Sequence, residues 1–297
     1  MQPFDYYKPT TFDEAFQYLI EPGKKVLPLA GATDLIPKTR DEVWHPDAVV
    51  DIKGLPGLRD IIMDEADARL YVGAAASMTA IARSEIVKSH WNVLAQGAAS
   101  MGNEQIRNRA TLGGNLCTAS PAADTAAALL VLEATVYIKG PAGDRSLPIA
   151  QFFVGPGKTA LHPGEIVAGV FIPKPPEGSA GHYEKLSRRK AGDLAIVGVA
   201  ALACPHNGGY RWRVALSAVA PTPIRSADAE HALNSVANAE DLLGVSKEAI
   251  IEEAALSAYE CCCPISDVRS SADYRRAMVI QIARRAMMGV LEQLEAK

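Results

Sequence analysis

Residues 107–124 read RNRATLGGNLCTASPAAD, a stretch dense in small hydrogen-bonding side chains. Glycine lacks the Cβ that holds a ligand off the backbone and it tolerates positive φ. A turn through Thr111, Leu112, Gly113, Gly114 and Asn115 therefore offers backbone N–H groups to a phosphate. Ser120 before Pro121 reads as the cap and first position of a helix, which puts Asp124 in its first turn. A carboxylate there favours the helix dipole but repels phosphate, so its natural ligand is a ribityl or ribose hydroxyl. A second stretch, LPLAGATDLIPK at 27–38, runs from an apolar strand into a bend carrying Gly31, Thr33 and Asp34, again with N–H groups and a hydroxyl for an anion. Either bend alone is as readily a plain turn. Together they point to one diphosphate.

Other candidate motifs carry less. GPGKT at 155–159 resembles the end of a phosphate-binding P-loop, but Phe152 stands where the pattern needs its first glycine and Pro156 removes a donor. Cys261, Cys262 and Cys263 are too crowded for a C-x-x-C half-site, and no second cysteine pair follows, so free thiols are expected and no metal. The histidines show no paired ligand spacing, and no acid–base pair stands out as catalytic. Arg107 and Arg109 could reach phosphate or form salt bridges at a domain seam. The pairs Arg275–Arg276 and Arg284–Arg285 read as the wet face of a final helix, with a subunit interface as the alternative.

The elements that must position the two bends are mixed. Short buried strands are expected at KVLPLAG (25–31), AVVDI (48–52) and RLYVGAA (69–75), with helices over TTFDEAFQYLI and over SMTAIARSEIV, the latter capped by Ser77. PKPPEGSAG at 173–181 is a Pro/Gly cluster without hydrophobic period and reads as a boundary. Beyond it HYEKLSR, LAIVGVAALAC and YRWRVALSAV read as hairpin-connected strands. The last alternates Arg211 and Arg213 with Trp212 and Val214. A long capped helix from Ser271 through Tyr274, Met278, Ile282 and Met287 closes the chain, making the second half α+β.

The totals agree with a globular protein. The chain has 297 residues, enough for two ordinary domains, with 48% hydrophobic and 22% charged residues. A formal net charge of −4 gives no long-range pull toward nucleic acid or anionic lipid. The opening MQPFDYYKPTTFDEAF has no signal-peptide pattern, no window has the composition of a membrane span, and five cysteines including three in a row suit a reducing compartment. A cytoplasmic location is the expectation.

AGATDLIP together with QIRNRATLGGNLCTASPAAD resembles the FAD-binding medium subunit of the molybdenum hydroxylases, the family of xanthine dehydrogenase, carbon monoxide dehydrogenase and their aromatic-substrate relatives. FFVGPGKTAL, GEIVAGVFIP, YEKLSRRKAGDLAIVGVAA and PISDVRSSADYRR follow in the family's order, so the resemblance spans nearly the whole chain. It implies an α+β chain: a PCMH-type (vanillyl-alcohol-oxidase-like) FAD-binding domain at 1–175, in two α/β subdomains of about 1–57 and 58–175. A carbon monoxide dehydrogenase flavoprotein-like C-terminal α+β domain, antiparallel sheet plus helices, would occupy 176–297.

The resemblance further implies FAD contacts from Leu29, Ala30, Gly31, Ala32, Thr33, Asp34, Leu35 and Ile36, from Thr111 to Asn115, from Asp124 and from Lys185 of YEKL. Met101 and Val167 would flank the cofactor, and Asp193 and Leu194 would neighbour the isoalloxazine. Many relatives carry a second glycine where Ala32 stands, and alanine is strained there if φ is positive. Expected partners are a small subunit with [2Fe-2S] clusters and a large subunit with the molybdenum cofactor, as a dimer of heterotrimers. FAD would pass electrons on to NAD, oxygen or another acceptor. A self-sufficient flavoenzyme of the same broad fold, of the UDP-N-acetylenolpyruvoylglucosamine reductase or alcohol oxidase type, is the rival reading; a cofactor-free scaffold is a third.

Overall fold

A computed structural model of the chain describes residues 1–236, 244 and 247–296. Strand β1 (Asp5–Tyr7), helix α1 (Phe12–Leu19), β2 (Val26–Leu29), helix α2 (Leu35–Arg40) and β3 (Ala48–Asp51) build a parallel sheet in the order β1-β3-β2. Parallel neighbours need a crossover, and α1 supplies one. It starts where its sequence says, with the Thr11 hydroxyl accepting from the Glu14 N–H, and it buries Ala15 and Phe16. The central strand is buried at all four residues, which explains its unbroken apolar run.

Five further strands form an antiparallel sheet: β4 (Ile61–Asp64), β5 (Arg69–Gly73), β6 (Thr135–Lys139), β7 (Arg145–Pro148) and, past the small hairpin of β8 (Phe153–Gly155) and β9 (Lys158–Thr159), β10 (Ile166–Pro173). Their order is β4-β5-β10-β6-β7. GPGKT is the turn of that small hairpin, with Gly157 at φ +70°. Between β5 and β6 run six short helices: α3 (Met78–Arg83), α4 (Glu85–His90), α5 (Asn92–Ser100), α6 (Glu104–Arg109), α7 (Leu112–Cys117) and α8 (Asp124–Val131).

Two expectations need correction here. SMTAIARSEIV is two helices, because Ser84 takes an extended backbone (φ −66°, ψ 120°) that ends one and opens the next. The helix expected from Ser120–Pro121 begins only at Asp124, with extended Ala123 as its cap. The Ser120 hydroxyl accepts from the Ala122 N–H instead, and the Pro121 carbonyl accepts from Ala218, which holds this turn against a distant strand.

PKPPEGSAG leads from β10 to β11 (Ala180–Leu186), which joins β12 (Val197–His206), β13 (Gly209–Ser217) and β14 (Ile224–Arg225) in an antiparallel meander. Asn207 and Gly208, both at positive φ, make the two-residue turn between β12 and β13 that matches strand twist. Trp212 and Val214 point into the core while Arg211 is exposed, as the alternation predicts. Among the described residues, three helices pack with this sheet around one core: α9 (Ala227–Asn234), Lys247–Glu260 and Ala272–Glu295.

The terminal helix is capped by Ser271 as expected, but its buried stripe runs through Val279, Ile282, Ala283, Ala286 and Met287, and Tyr274 is exposed. Its arginines do not all face water. Arg275 is only 2% exposed and donates to the carbonyls of Ile196 and Ala218 and to the Asp267 carboxylate at 2.7 Å. Arg276 donates to the Cys262 carbonyl, and Arg284 and Arg285 are exposed. Periodicity alone put all four on one wet face; Asp267, eight residues earlier, recruits the first of them inward.

All five cysteines are free thiols. Among the described residues no helix is long and apolar enough to cross a membrane, and no group of three or more His, Cys, Asp or Glu side chains could hold a metal.

Candidate functional site

The parallel sheet, the helices α6 to α8 and β10 line a cleft of about 940 Å³, the upper end of ligand-pocket sizes and roomy enough for a dinucleotide. Both small-residue bends line it. They also touch. A Cβ on Gly31 would collide with the Arg109 carbonyl oxygen and sit 3.0 Å from the Ala110 Cα, so only glycine allows the first bend to lie on the second. Thr118 completes the join by donating its hydroxyl to the Asp34 carboxylate at 3.2 Å.

The two bends contribute differently. The reading of Thr111–Asn115 as a cradle of open N–H groups is overturned. Leu112 and Gly113 donate to the carbonyls of Ala76 and Ala74, Gly114 to the Thr111 hydroxyl, and Asn115 to the Thr111 carbonyl. The segment is pinned to the turn after β5, and a Cβ on Gly113 would stand 2.6 Å from that of Ala74. Thr111, Gly113, Gly114 and Asn115 nonetheless line the cleft. The Asn115 carbonyl oxygen already accepts from Thr125 at 2.6 Å, which leaves the amide N–H₂ as donor.

Among the described residues, the backbone N–H groups of Ala32, Thr33 and Asp34 make no backbone hydrogen bond. The N–H groups left without a backbone acceptor therefore belong to the first bend. Ala32 holds φ +66°, a left-handed conformation that a Cβ disfavours.

Asp124 forms part of the cleft wall, yet its side chain is buried in a charge cluster. Lys185 Nζ lies 2.9 Å and 3.1 Å from its two oxygens and also donates to the Ser100 carbonyl at 3.1 Å. Tyr183 donates its hydroxyl to Asp124 at 3.1 Å. Burial drives the Asp124 carboxyl above its ordinary value, and Lys185 and Tyr183 oppose that without cancelling it. Burial, then the Asp124 charge, pushes Tyr183 well up, so it remains a donor. Both partners come from β11, so the C-terminal sheet holds a residue of the cleft.

Residues 2–175 match the family model of the FAD binding domain in molybdopterin dehydrogenase, and residues 182–290 match that of the CO dehydrogenase flavoprotein C-terminal domain. The chain is an FAD-binding medium subunit of the molybdenum hydroxylase family. This medium subunit is 33% identical over 285 residues to the carbon monoxide dehydrogenase medium chain of Hydrogenophaga pseudoflava, covering 96% of each chain. It is 36% identical over 203 residues to the nicotinate dehydrogenase FAD-subunit of Eubacterium barkeri, covering 67% of this chain and 68% of that one. The solved Hydrogenophaga pseudoflava carbon monoxide dehydrogenase superposes with a TM-score of 0.90 at 31% identity over 99% of both chains. Quinoline 2-oxidoreductase from Pseudomonas putida 86 gives 0.89 at 28% identity over 99% and 98%.

In the medium subunit, Ala30, Gly31, Ala32, Thr33, Asp34, Leu35, Met101, Thr111, Gly113, Gly114, Asn115, Asp124, Val167, Asp193 and Leu194 line the cleft. Four expected residues do not. Leu29 ends β2, Ile36 is 39% exposed on α2, Leu112 is wholly buried beneath the second bend, and Lys185 stands behind Asp124. Sequence reasoning missed Thr118 and Tyr183, and also Lys38 and Trp44, which line the cleft with the Lys38 ammonium 4.2 Å from the Trp44 ring centre. Tyr183 was legible: residues two apart on a strand share a face, so it accompanies Lys185. Nothing in the sequence pairs Thr118 with Asp34, 84 residues away. The residues present fit FAD: a cleft of dinucleotide size, a bend whose close approach forbids a Cβ, open N–H donors and a buried carboxylate.

Proposed function

We propose that this medium subunit is the exit station of a molybdenum hydroxylase complex. It holds FAD, receives single electrons from the [2Fe-2S] clusters of a small partner subunit, and delivers them to an external acceptor such as NAD or oxygen. Substrate would be hydroxylated at the molybdenum cofactor of a large subunit, in a dimer of heterotrimers. Bound FAD supplies the ability to take electrons singly and release them in pairs. Residues 1–175 would form the FAD-binding domain and 176–297 the flavoprotein C-terminal domain.

The meeting of the two bends, Gly31 against Arg109 and Thr118 on Asp34, is the observation that carries this reading. Ala32, Thr33 and Asp34 would present N–H groups to the diphosphate, Asn115 an amide donor, and Asp124 a carboxylate to a sugar or ribityl hydroxyl. Leu194, 52% exposed at the cleft, and Asp193 would border the ring, where an acceptor must approach. Lys185 and Tyr183 would act through Asp124.

Purifying the tagged chain from its native host tests the proposal. FAD released on denaturation, together with copurifying iron–sulfur and molybdenum subunits, is the expected result. A purified chain that oxidises substrate alone would favour the self-sufficient flavoenzyme, and a colourless one the scaffold.

A further inference from the structure

The carboxylates that line the cleft are already answered by this chain. Asp124 has Lys185 at 2.9 Å, Glu165 has Arg145 at 2.7 Å, Asp193 has Arg189 at 3.5 Å, and Asp34 accepts from the Thr118 hydroxyl. Lys38 is not. Among the described residues it is the single cation lining the cleft, and its ammonium makes no ion pair or hydrogen bond with any of them. Asp34 stands four residues earlier, a spacing at which helix side chains pair, yet its carboxylate goes to Thr118 instead.

The local backbone fixes where this ammonium sits. Helix α2 ends in a tight reversal: Glu42 is left-handed at φ +58°, and the N–H groups of Val43 and Trp44 both donate to the Lys38 carbonyl, at 2.8 Å and 3.1 Å. The reversal brings Trp44 back beside α2, with the Lys38 ammonium 4.2 Å from the centre of its ring. Trp91 and Trp212 are fully buried, whereas Trp44 and Lys38 are half-buried at the cleft. An indole face attracts a cation without neutralising it, so the group is held in place and its charge stays available. Side chains of a helix lean toward its N-terminus, which directs Lys38 toward Asp34, whose carbonyl accepts from the Lys38 N–H one turn earlier.

We propose that Lys38 is the charge partner of the FAD diphosphate, with Trp44 as the platform that holds its ammonium. This rests on the reading of the cleft as an FAD site. The N–H groups of Ala32, Thr33 and Asp34 offer the diphosphate hydrogen bonds but no net charge, while carboxylates line the same cleft. A dianion placed there needs a cation within the cleft, and Lys38 supplies it as a point charge on a long stem that reaches along α2.

Titrating FAD into the flavin-stripped full chain at low and at high ionic strength tests this, with quenching of flavin fluorescence as the readout. Lys38→Met is expected to weaken FAD about tenfold at low ionic strength, a loss that shrinks to about twofold when salt screens the charge. Lys38→Arg should restore most of the affinity, and Trp44→Ala, which frees the ammonium, should weaken FAD about threefold. The unmutated chain's own affinity should fall as salt is added, a reading that needs no variant to fold. Equal FAD affinity in the unmutated chain and Lys38→Met overturns the proposal, as does a Lys38→Met deficit that salt leaves unchanged, the mark of packing and not of charge. In both cases the unmutated chain still binds FAD and the functional reading stands. An unmutated chain that binds no FAD at either ionic strength overturns the proposal together with that reading.

Discussion

The bends around the cleft and the helix-on-sheet layer behind them meet opposite demands. At the cleft the chain comes close to itself through residues without side chains, Gly31 on Arg109 and Gly113 on Ala74, and keeps donors unspent on Ala32, Thr33 and Asp34. The C-terminal layer instead pairs its buried charges. Arg275 is buried with three acceptors, and Lys185 and Tyr183 are committed to Asp124. A binding region keeps polar groups for its ligand and must be held in shape from outside, whereas a packed layer satisfies its own charges and can do the holding.

Substitutions on the two sides should therefore fail in different ways. Gly31→Val is expected to have the largest effect: the new side chain cannot fit against the Arg109 carbonyl, the bends separate, and flavin per protein falls to near zero in the purified chain. Normal flavin content would show that the contact between bends is dispensable.

Lys185→Met leaves Asp124 buried beside Tyr183 alone and should cost about 3–5 kcal/mol of stability, as for breaking a buried pair. Because burial already raises the Asp124 carboxyl, losing Lys185 raises it further. A carboxyl raised on folding loses stability as pH climbs through its folded value, so the variant's melting deficit should shrink from pH 8 to pH 5. A deficit independent of pH would mean that Lys185 acts through packing, not charge.

Asp267→Ala should cost about 3 kcal/mol by stranding Arg275. Burial works against the Asp267 charge, but Arg269 and then Arg275 outweigh it and hold the carboxyl well below its usual value. Its stability contribution is present above about pH 4, the ordinary carboxylate range, and fades as pH falls toward the folded value. Denaturant melts at two pH values check this: the variant's deficit should be full at neutral pH and smaller in acid, with flavin affinity changed less than by Lys185→Met.

The smallest effect is expected from Ala32→Gly. Relief of a left-handed alanine is worth about 1–2 kcal/mol, partly offset by glycine's extra freedom when unfolded, for a net gain of about 0.5–1 kcal/mol in a urea melt and unchanged flavin retention. A net loss would show that the alanine methyl makes a contact the bend needs.

Much of this was written locally. Thr11, Ser77 and Ser271 cap helices where their spacing to the following N–H groups says they should. Arg211 and Trp212 alternate out and in along β13, and the order of ordinary motifs along the chain carries the family resemblance. Those features depend on neighbours within a turn or a strand, which is the range over which sequence spacing translates into geometry.

Tertiary structure decided the rest. Whether the N–H groups of residues 112 and 113 are free depends on Ala76 and Ala74 in another element, and the start of α8 on a hydrogen bond from Ala218. Arg275 turns inward because three acceptors converge on it, and Asp124 is a buried ion because β11 arrives with a lysine and a tyrosine on one face. Composition and period fix which residues prefer water or the core; which polar groups find partners there is settled only when distant segments meet, since a hydrogen bond is set by position in space and not by position in the chain.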